Sequence, residues 1–173
     1  VDLDLDVAAI LNGETDDALR DAPPSVRFGI ECAVLELEAK RVPHSENIFC
    51  KPDITVPVNA LLVRPTPAGA AARVREGYTC LKVKVGRRSL SQDIEVVSAL
   101  AESLGDAATL RLDANRAWSM ADARVFAEAV QALPVAYLEE PCGSYEDSLR
   151  LAQEAIVPIA LDESLNAMDA HQC

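Results

Sequence analysis

The sequence predicts an α/β fold of parallel β/α units, preceded by a mainly helical segment. Two observations carry this. From about Val56 onward, short apolar runs alternate with helical patterns, the rhythm of strands joined by crossover helices. Residues 1–54 do not follow that rhythm and read as a separate packing unit, leaving 55–173 as the β/α part.

In order, the helical segment comes first. Ser25 to Lys40 has Val26, Ile30, Ala33, Val34 and Leu37 along one side, an amphipathic helix. The stretch from Pro43 to Pro57 reads as loop. Val56 to Val63 is the first strand. Thr66-Pro67 then gives an N-cap with proline in the first turn, opening an Ala-rich helix to about Glu76. The second strand, Cys80 to Val85, stops at Gly86. Leu90, Ile94, Val97, Leu100 and Leu104 give the second helix its buried face. Thr109 to Leu112 is the third strand. The third helix opens at Ser119 with Asp122 three residues on, resembling a capping box, and is expected to bury Phe126, Ala129 and Val130. Val135 to Leu138 is the fourth strand, and Ser144 with Asp147 opens the fourth helix. Pro158 to Leu161 is the fifth strand, and a fifth helix is expected after Asn166. Five units leave an open sheet edge, so the expectation is an incomplete barrel or open sheet.

Composition narrows the function. The chain has 173 residues, 50% hydrophobic and 25% charged, enough apolar mass for a core and too much for disorder. A net charge of −12 disfavours phosphate backbones, so no nucleic-acid partner is expected. No window approaches the ~18 consecutive apolar residues of a membrane span. The acidic start, Val1 to Asp6, is a solvated surface with no leader pattern, and without an initiating Met the chain reads as part of a longer product. Cys32, Cys50, Cys80, Cys142 and Cys173 form no Cys-x-x-Cys pair, so reduced thiols in a cytoplasmic protein are expected, not disulfides or zinc. His44 and His171 stand far apart among polar neighbours and are not expected to be catalytic.

The chemistry lies in how the strands end. Lys82 and Lys84 alternate onto one face at the end of strand two. Strand three runs into Asp113-Ala114-Asn115, strand four into Glu139-Glu140-Pro141, strand five into Asp162-Glu163-Ser164. From Lys84 the successive spacings are 29, 26 and 23 residues, about one β/α unit each. In a parallel barrel the carboxyl ends of the strands form the catalytic face. Three carboxylates converging there would repel unless a cation neutralised them, and hard oxygen donors without His or Cys suit Mg²⁺. Lys82 beside Lys84 should lower the pKa of Lys84, letting it take a proton from carbon next to a carboxylate while the metal holds the resulting enediolate. Asn115 shares the face of Asp113 and is expected to support the site. Glu140 and Glu163 alternate to the other face as salt-bridge or supporting groups. Arg116 and Trp118 lie near the rim, with packing and substrate roles both open.

The motifs Lys82-Val83-Lys84, Leu112 to Trp118, Leu138 to Cys142 and Leu161 to Ser164 resemble the o-succinylbenzoate synthases, in the muconate-lactonising-like subgroup of the enolase superfamily. The resemblance runs from about Pro24 to Ser164. It implies the first five strands of an enolase-type barrel after part of an α+β capping domain. It implies Lys84 as catalytic base, Lys82 as its partner, and Asp113, Glu139 and Asp162 as Mg²⁺ ligands. The implied reaction removes water from a hydroxylated cyclohexadiene carboxylate bearing a succinyl chain, aromatising it on the route to menaquinone. The family's further lysine on a sixth strand has no counterpart here, so the chain is expected to be inactive alone. An N-acylamino acid racemase or muconate cycloisomerase would use the same base and metal, and a non-catalytic fragment is the remaining alternative.

Overall fold

In a computed structural model the chain is described over residues 22–41 and 55–167. The readings made for Val1 to Asp6, residues 43–54 with His44 and Cys50, and residues 168–173 with His171 and Cys173 lie outside the described residues. The chain divides into two units, Val1–Val56 and Pro57–Cys173, which are taken separately.

In the first unit, α1 spans Pro24–Arg41. Proline is tolerated at its start because the first N–H groups have no intrahelical acceptor. Lys40 and Arg41 in the last turn complement the helix dipole, and Glu31 pairs with Arg27 at 3.0 Å one turn away. No residue of α1 is buried. Of the expected stripe, Val26, Ile30 and Val34 are partly covered, whereas Ala33 and Leu37 are exposed.

The second unit is a single sheet, ordered as in the sequence and parallel throughout. Its elements are β1 (Ala60–Leu62), α2 (Pro67–Arg75), β2 (Cys80–Lys84), α3 (Leu90–Leu104), β3 (Thr109–Asp113), α4 (Met120–Val130), β4 (Val135–Glu139), α5 (Tyr145–Gln153), β5 (Ile159–Ala160) and a 3₁₀ turn, Glu163–Ala167. The first strand is shorter than its apolar run suggests: Val56, Val58 and Val63 are 69%, 67% and 84% exposed. Edge strands keep only what their single neighbour can pair, here three residues. The 3₁₀ turn begins ahead of the helix expected after Asn166.

Each helix of this unit before the 3₁₀ turn starts at a hydroxyl cap. The oxygens of Thr66, Ser89, Ser119 and Ser144 accept N–H bonds from Gly69, Gln92, Asp122 and Asp147. The reciprocal capping box belongs to Ser89 and Gln92. At Ser119 the hydroxyl instead donates to the Asp122 carboxylate at 2.7 Å, because the shorter side chain stops at the hydroxyl.

One sheet face is a dry core. Leu81, Val83, Leu110, Leu112 and Leu138 meet Val97, Leu100, Phe126, Val130 and Leu151 from the helices. Burial of several such side chains, each worth about 1.5–3 kcal/mol, holds the sheet to its helices. Ala129, expected in this core, is exposed; Ala123 and Ala127 take its place, since Phe126 and Val130 set a helix face 100° per residue from it. Trp118 packs against Phe126 with ring centroids 4.4 Å apart, which fits the packing role.

Candidate active site

The second sheet face carries the polar residues, and strand register sorts them into layers. Lys84 pairs with Asp113, and Asp113 with Glu139. One layer below, Lys82 pairs with Arg111, and Arg111 with Tyr137. A bulge creates this match. Leu110 pairs with Val135 but Arg111 pairs with Tyr137, so Ala136 is extra. The extra residue brings Tyr137 and Glu139 into phase with Arg111 and Asp113.

These side chains form a tight ionic cluster. Lys82 Nζ lies 2.8 Å from Asp113 Oδ2 and 2.8 Å from each Glu139 oxygen. Lys84 Nζ donates to Asp113 Oδ2 at 2.5 Å and to Asn115 Oδ1 at 2.8 Å. Asn115 N–H donates to Asp113 Oδ1 at 3.0 Å, and its side-chain amide donates to Glu163 Oε1 at 2.8 Å. Asn115 thus supports both Lys84 and Asp113. Asn115 and Arg116 have φ of +45° and +63°, a left-handed pair that turns the chain sharply after β3 and keeps Asn115 beside Asp113.

Charge follows geometry. Burial alone would lower the pKa of Lys82; its hydrogen bonds to Asp113 and Glu139 outweigh that and raise it. Burial would raise Asp113, but the two ammonium groups and the Asn115 N–H bring it below its ordinary value. Glu140 is likewise lowered: burial pushes it up, and the Ser164 hydroxyl with the Ser164 and Asp162 N–H groups more than reverse this.

Carboxyls depressed on folding contribute stability that is complete above their unfolded pKa, about 4. That contribution is lost as pH falls below this value through the folded pKa values of Asp113 and Glu140. Urea midpoints should therefore hold steady from pH 7 to about 5 and fall on further acidification, and the Asp113→Asn variant should show a shallower fall. An identical acid limb in that variant would contradict the assignment.

The expected convergence of three carboxylates is not formed. Among the described residues no group of three or more His, Cys, Asp or Glu side chains is placed to hold a metal ion. The reason is register. Glu139 pairs with Ala160, so Asp162 stands two residues past the layer, on the order of 6–7 Å along a strand, and is exposed. Asp113 and Glu139, however, already converge on a single positive charge, the Lys82 ammonium. Their oxygens are hard donors, and Asp162 follows on the next strand, so the donor set fits a divalent cation.

Two contributors, Arg111 and Asp93, have no part in the sequence reading. Arg111 lies on the polar face beneath the cluster, bonded to Asn59 Oδ1 at 2.9 Å and stacked over Tyr137 at 5.1 Å. Its place two residues before Asp113 was the available signal. Asp93 is fully buried in the first turn of α3, accepting Gly86 N–H at 2.7 Å and Arg88 at 2.9 Å, hidden by the apolar period around it. Glu140, expected as a supporting group, is fully buried and bonded to Asp162 and Ser164. Arg116 donates to Gly143 O at 2.6 Å, joining two rim loops. A shallow cleft lined by Pro57, Val58 and Glu76 to Thr79 lies at the opposite end of the sheet.

Comparison with known proteins bears on the family and the fold. The enolase C-terminal domain-like family profile matches residues 67–172. An o-succinylbenzoate synthase of Yersinia pestis (strain Pestoides F) is 38% identical over 159 residues, covering 90% of this chain and 46% of that protein. The chloroplastic protein PHYLLO of Arabidopsis thaliana is 36% identical over 166 residues, 87% of this chain and 10% of that one. The chain thus spans less than half the length of these curated relatives. Among solved structures, muconate cycloisomerase from Pseudomonas fluorescens superposes with a TM-score of 0.72 at 27% identity, covering 91% of this chain and 45% of its own. A racemase from Streptomyces coelicolor A3(2), solved with bound magnesium, gives a TM-score of 0.54 at 32% identity over 63% of this chain and 33% of its own.

Proposed function

This chain belongs to the enolase C-terminal domain-like family, and on that premise we propose that it carries the base and metal-ligand half of a Mg²⁺-dependent dehydratase of the o-succinylbenzoate synthase type. The observation that carries the reading is the layer Lys84–Asp113–Glu139, three charged groups in register at the carboxyl ends of consecutive parallel strands. The substrate class is a small carboxylate bearing an acidic proton on the adjacent carbon. The relatives named o-succinylbenzoate synthase favour a succinyl-substituted cyclohexadiene carboxylate, whose dehydration gives an aromatic product on the way to menaquinone.

Lys84 acts as the base. In its neutral form the amine has two N–H bonds, and Asp113 Oδ2 and Asn115 Oδ1 are the two acceptors already in contact. Donation to both would leave the remaining lone pair free to accept the substrate proton. Lys82 holds Asp113 and Glu139 together and balances their charge. Asp113, Glu139 and Asp162 would hold the cation. When bound, it supplies positive charge for the extra negative charge that builds on the substrate carboxylate as its neighbouring carbon loses a proton. The same lysine, once protonated, can return its proton to the departing hydroxyl.

The second reading is a cycloisomerase or racemase, favoured by the structural likeness to a muconate cycloisomerase and to a magnesium-bound racemase. The polypeptide carrying this sequence should be assayed with the cyclohexadiene carboxylate, with muconate and with N-succinylamino acids. Chelator-sensitive dehydration is expected; racemisation or lactonisation without dehydration would replace the first reading with the second. Asp113→Asn should weaken Mg²⁺ or Mn²⁺ binding about tenfold or more by calorimetry, because one hard anionic donor is lost. Unchanged affinity would remove Asp113 from the ligand set.

A further inference from the structure

We propose that Glu140 is a positioning residue whose buried carboxylate, more than the sheet, fixes the Asp162–Ser164 turn carrying the third candidate ligand. The cation part of this inference rests on the reading above; the tether itself does not.

Sheet pairing near Asp162 is scant. β5 has two residues and two register pairs with β4. Its last backbone tie to β4 is Glu140 N–H to Ala160 O at 3.0 Å. Beyond it, the Glu140 carboxylate takes over. Oε1 accepts the N–H groups of Asp162 and Ser164, both at 2.7 Å, and Oε2 accepts the Ser164 hydroxyl at 2.7 Å. The first N–H groups of a helical turn have no partner within the turn, so Glu140 caps the Glu163–Ala167 turn from a neighbouring strand.

The backbone of Glu140 is adapted to this. Its φ is +43°, a left-handed conformation unusual for glutamate, and its side chain is fully buried. Its carbonyl accepts Arg116 N–H at 2.7 Å, so one residue links the loop after β3 to the turn after β5. A residue needed only for packing would be apolar here, since an unpaired buried carboxylate is costly. Three donors converging on a carboxylate, two of them backbone, point to holding a specific backbone path.

The test compares amide hydrogen exchange with Mn²⁺ titration of the purified protein. In Glu140→Ala, exchange at the Asp162 and Ser164 amides should rise about 100-fold, with Leu112 and Leu138 unchanged. Mn²⁺ affinity should fall about tenfold although all three candidate ligands remain. Glu140→Gln should recover both to within roughly threefold, because its amide oxygen still accepts two N–H groups and its NH₂ can donate to Ser164 Oγ. Ser164→Ala, a milder change, should raise exchange about tenfold and serves if Glu140→Ala fails to fold. Exchange at wild-type rates in the Glu140 and Ser164 variants overturns the tether. Fast exchange with undiminished Mn²⁺ affinity overturns the positioning role, provided Asp162→Asn loses affinity. If Asp162→Asn itself binds like wild type, the ligand reading falls and the tether is decided by exchange alone.

Discussion

Replacing Lys84 by alanine should lower kcat by about a hundred- to ten-thousandfold in the polypeptide that carries this sequence, the range expected for loss of a general base. The fold should tolerate the change. Lys84 lies at a strand end with its side chain 32% exposed, and Asp113 keeps Lys82 at 2.8 Å and the Asn115 N–H at 3.0 Å. Lys84→Arg is the sharper variant. It preserves the positive charge beside Asp113, yet a guanidinium does not lose a proton near neutral pH and cannot serve as base. Both variants should therefore be inactive with near-wild-type urea midpoints, and Lys84→Arg should still bind Mn²⁺. Substantial turnover by Lys84→Arg would move the base elsewhere, with Lys82 the next candidate.

Gly86→Ala should destabilise the second unit by about 2–5 kcal/mol, measured by urea unfolding. Two effects add. Gly86 has φ of +78°, where an L side chain is strained, and an added Cβ would lie 2.5 Å from Ala117 Cβ and 3.1 Å from Ala114 O. Neither neighbour is the end of a flexible side chain, so backbone must move. The double variant Gly86→Ala with Ala117→Gly separates the causes: removing the methyl clash should recover part of the loss and leave about 1 kcal/mol or more of conformational cost. No recovery would mean that the clash is absorbed elsewhere. Gly86 stands two residues after Lys84, and its N–H is held by buried Asp93. The glycine thus lets the turn after β2 seat against the Ala114–Ala117 segment that follows Asp113, which couples stability to the candidate site.

Much of this architecture was legible because local rules act on neighbouring residues. The parallel β/α units followed from apolar runs alternating with capped, periodic helices. The shared face of Lys82 and Lys84 followed from the two-residue period of a strand, and both point away from the core as expected. Within the enolase C-terminal domain-like family the five parallel strands form part of an enolase-type β/α barrel. The misreading in the core arose where a side chain's burial depends on how its helix is turned toward the sheet. Ala129 looked like core until Phe126 and Val130 fixed the rotation of α4. Asp93, on which the sequence is silent, is buried because Gly86 and Arg88 bond its carboxylate.

Sequence alone determined the order of the elements, the sign of charge at each strand end and the residue types available for proton transfer and cation binding. These depend on side-chain periodicity and on chemistry that a residue carries wherever it lies. Only the tertiary structure decided which of those groups meet. The bulge at Ala136 brings Glu139 beside Asp113, and the pairing of Glu139 with Ala160 leaves Asp162 one step beyond them. Register between strands is set by packing across the whole sheet, and a shift of a single residue turns a side chain to the opposite face.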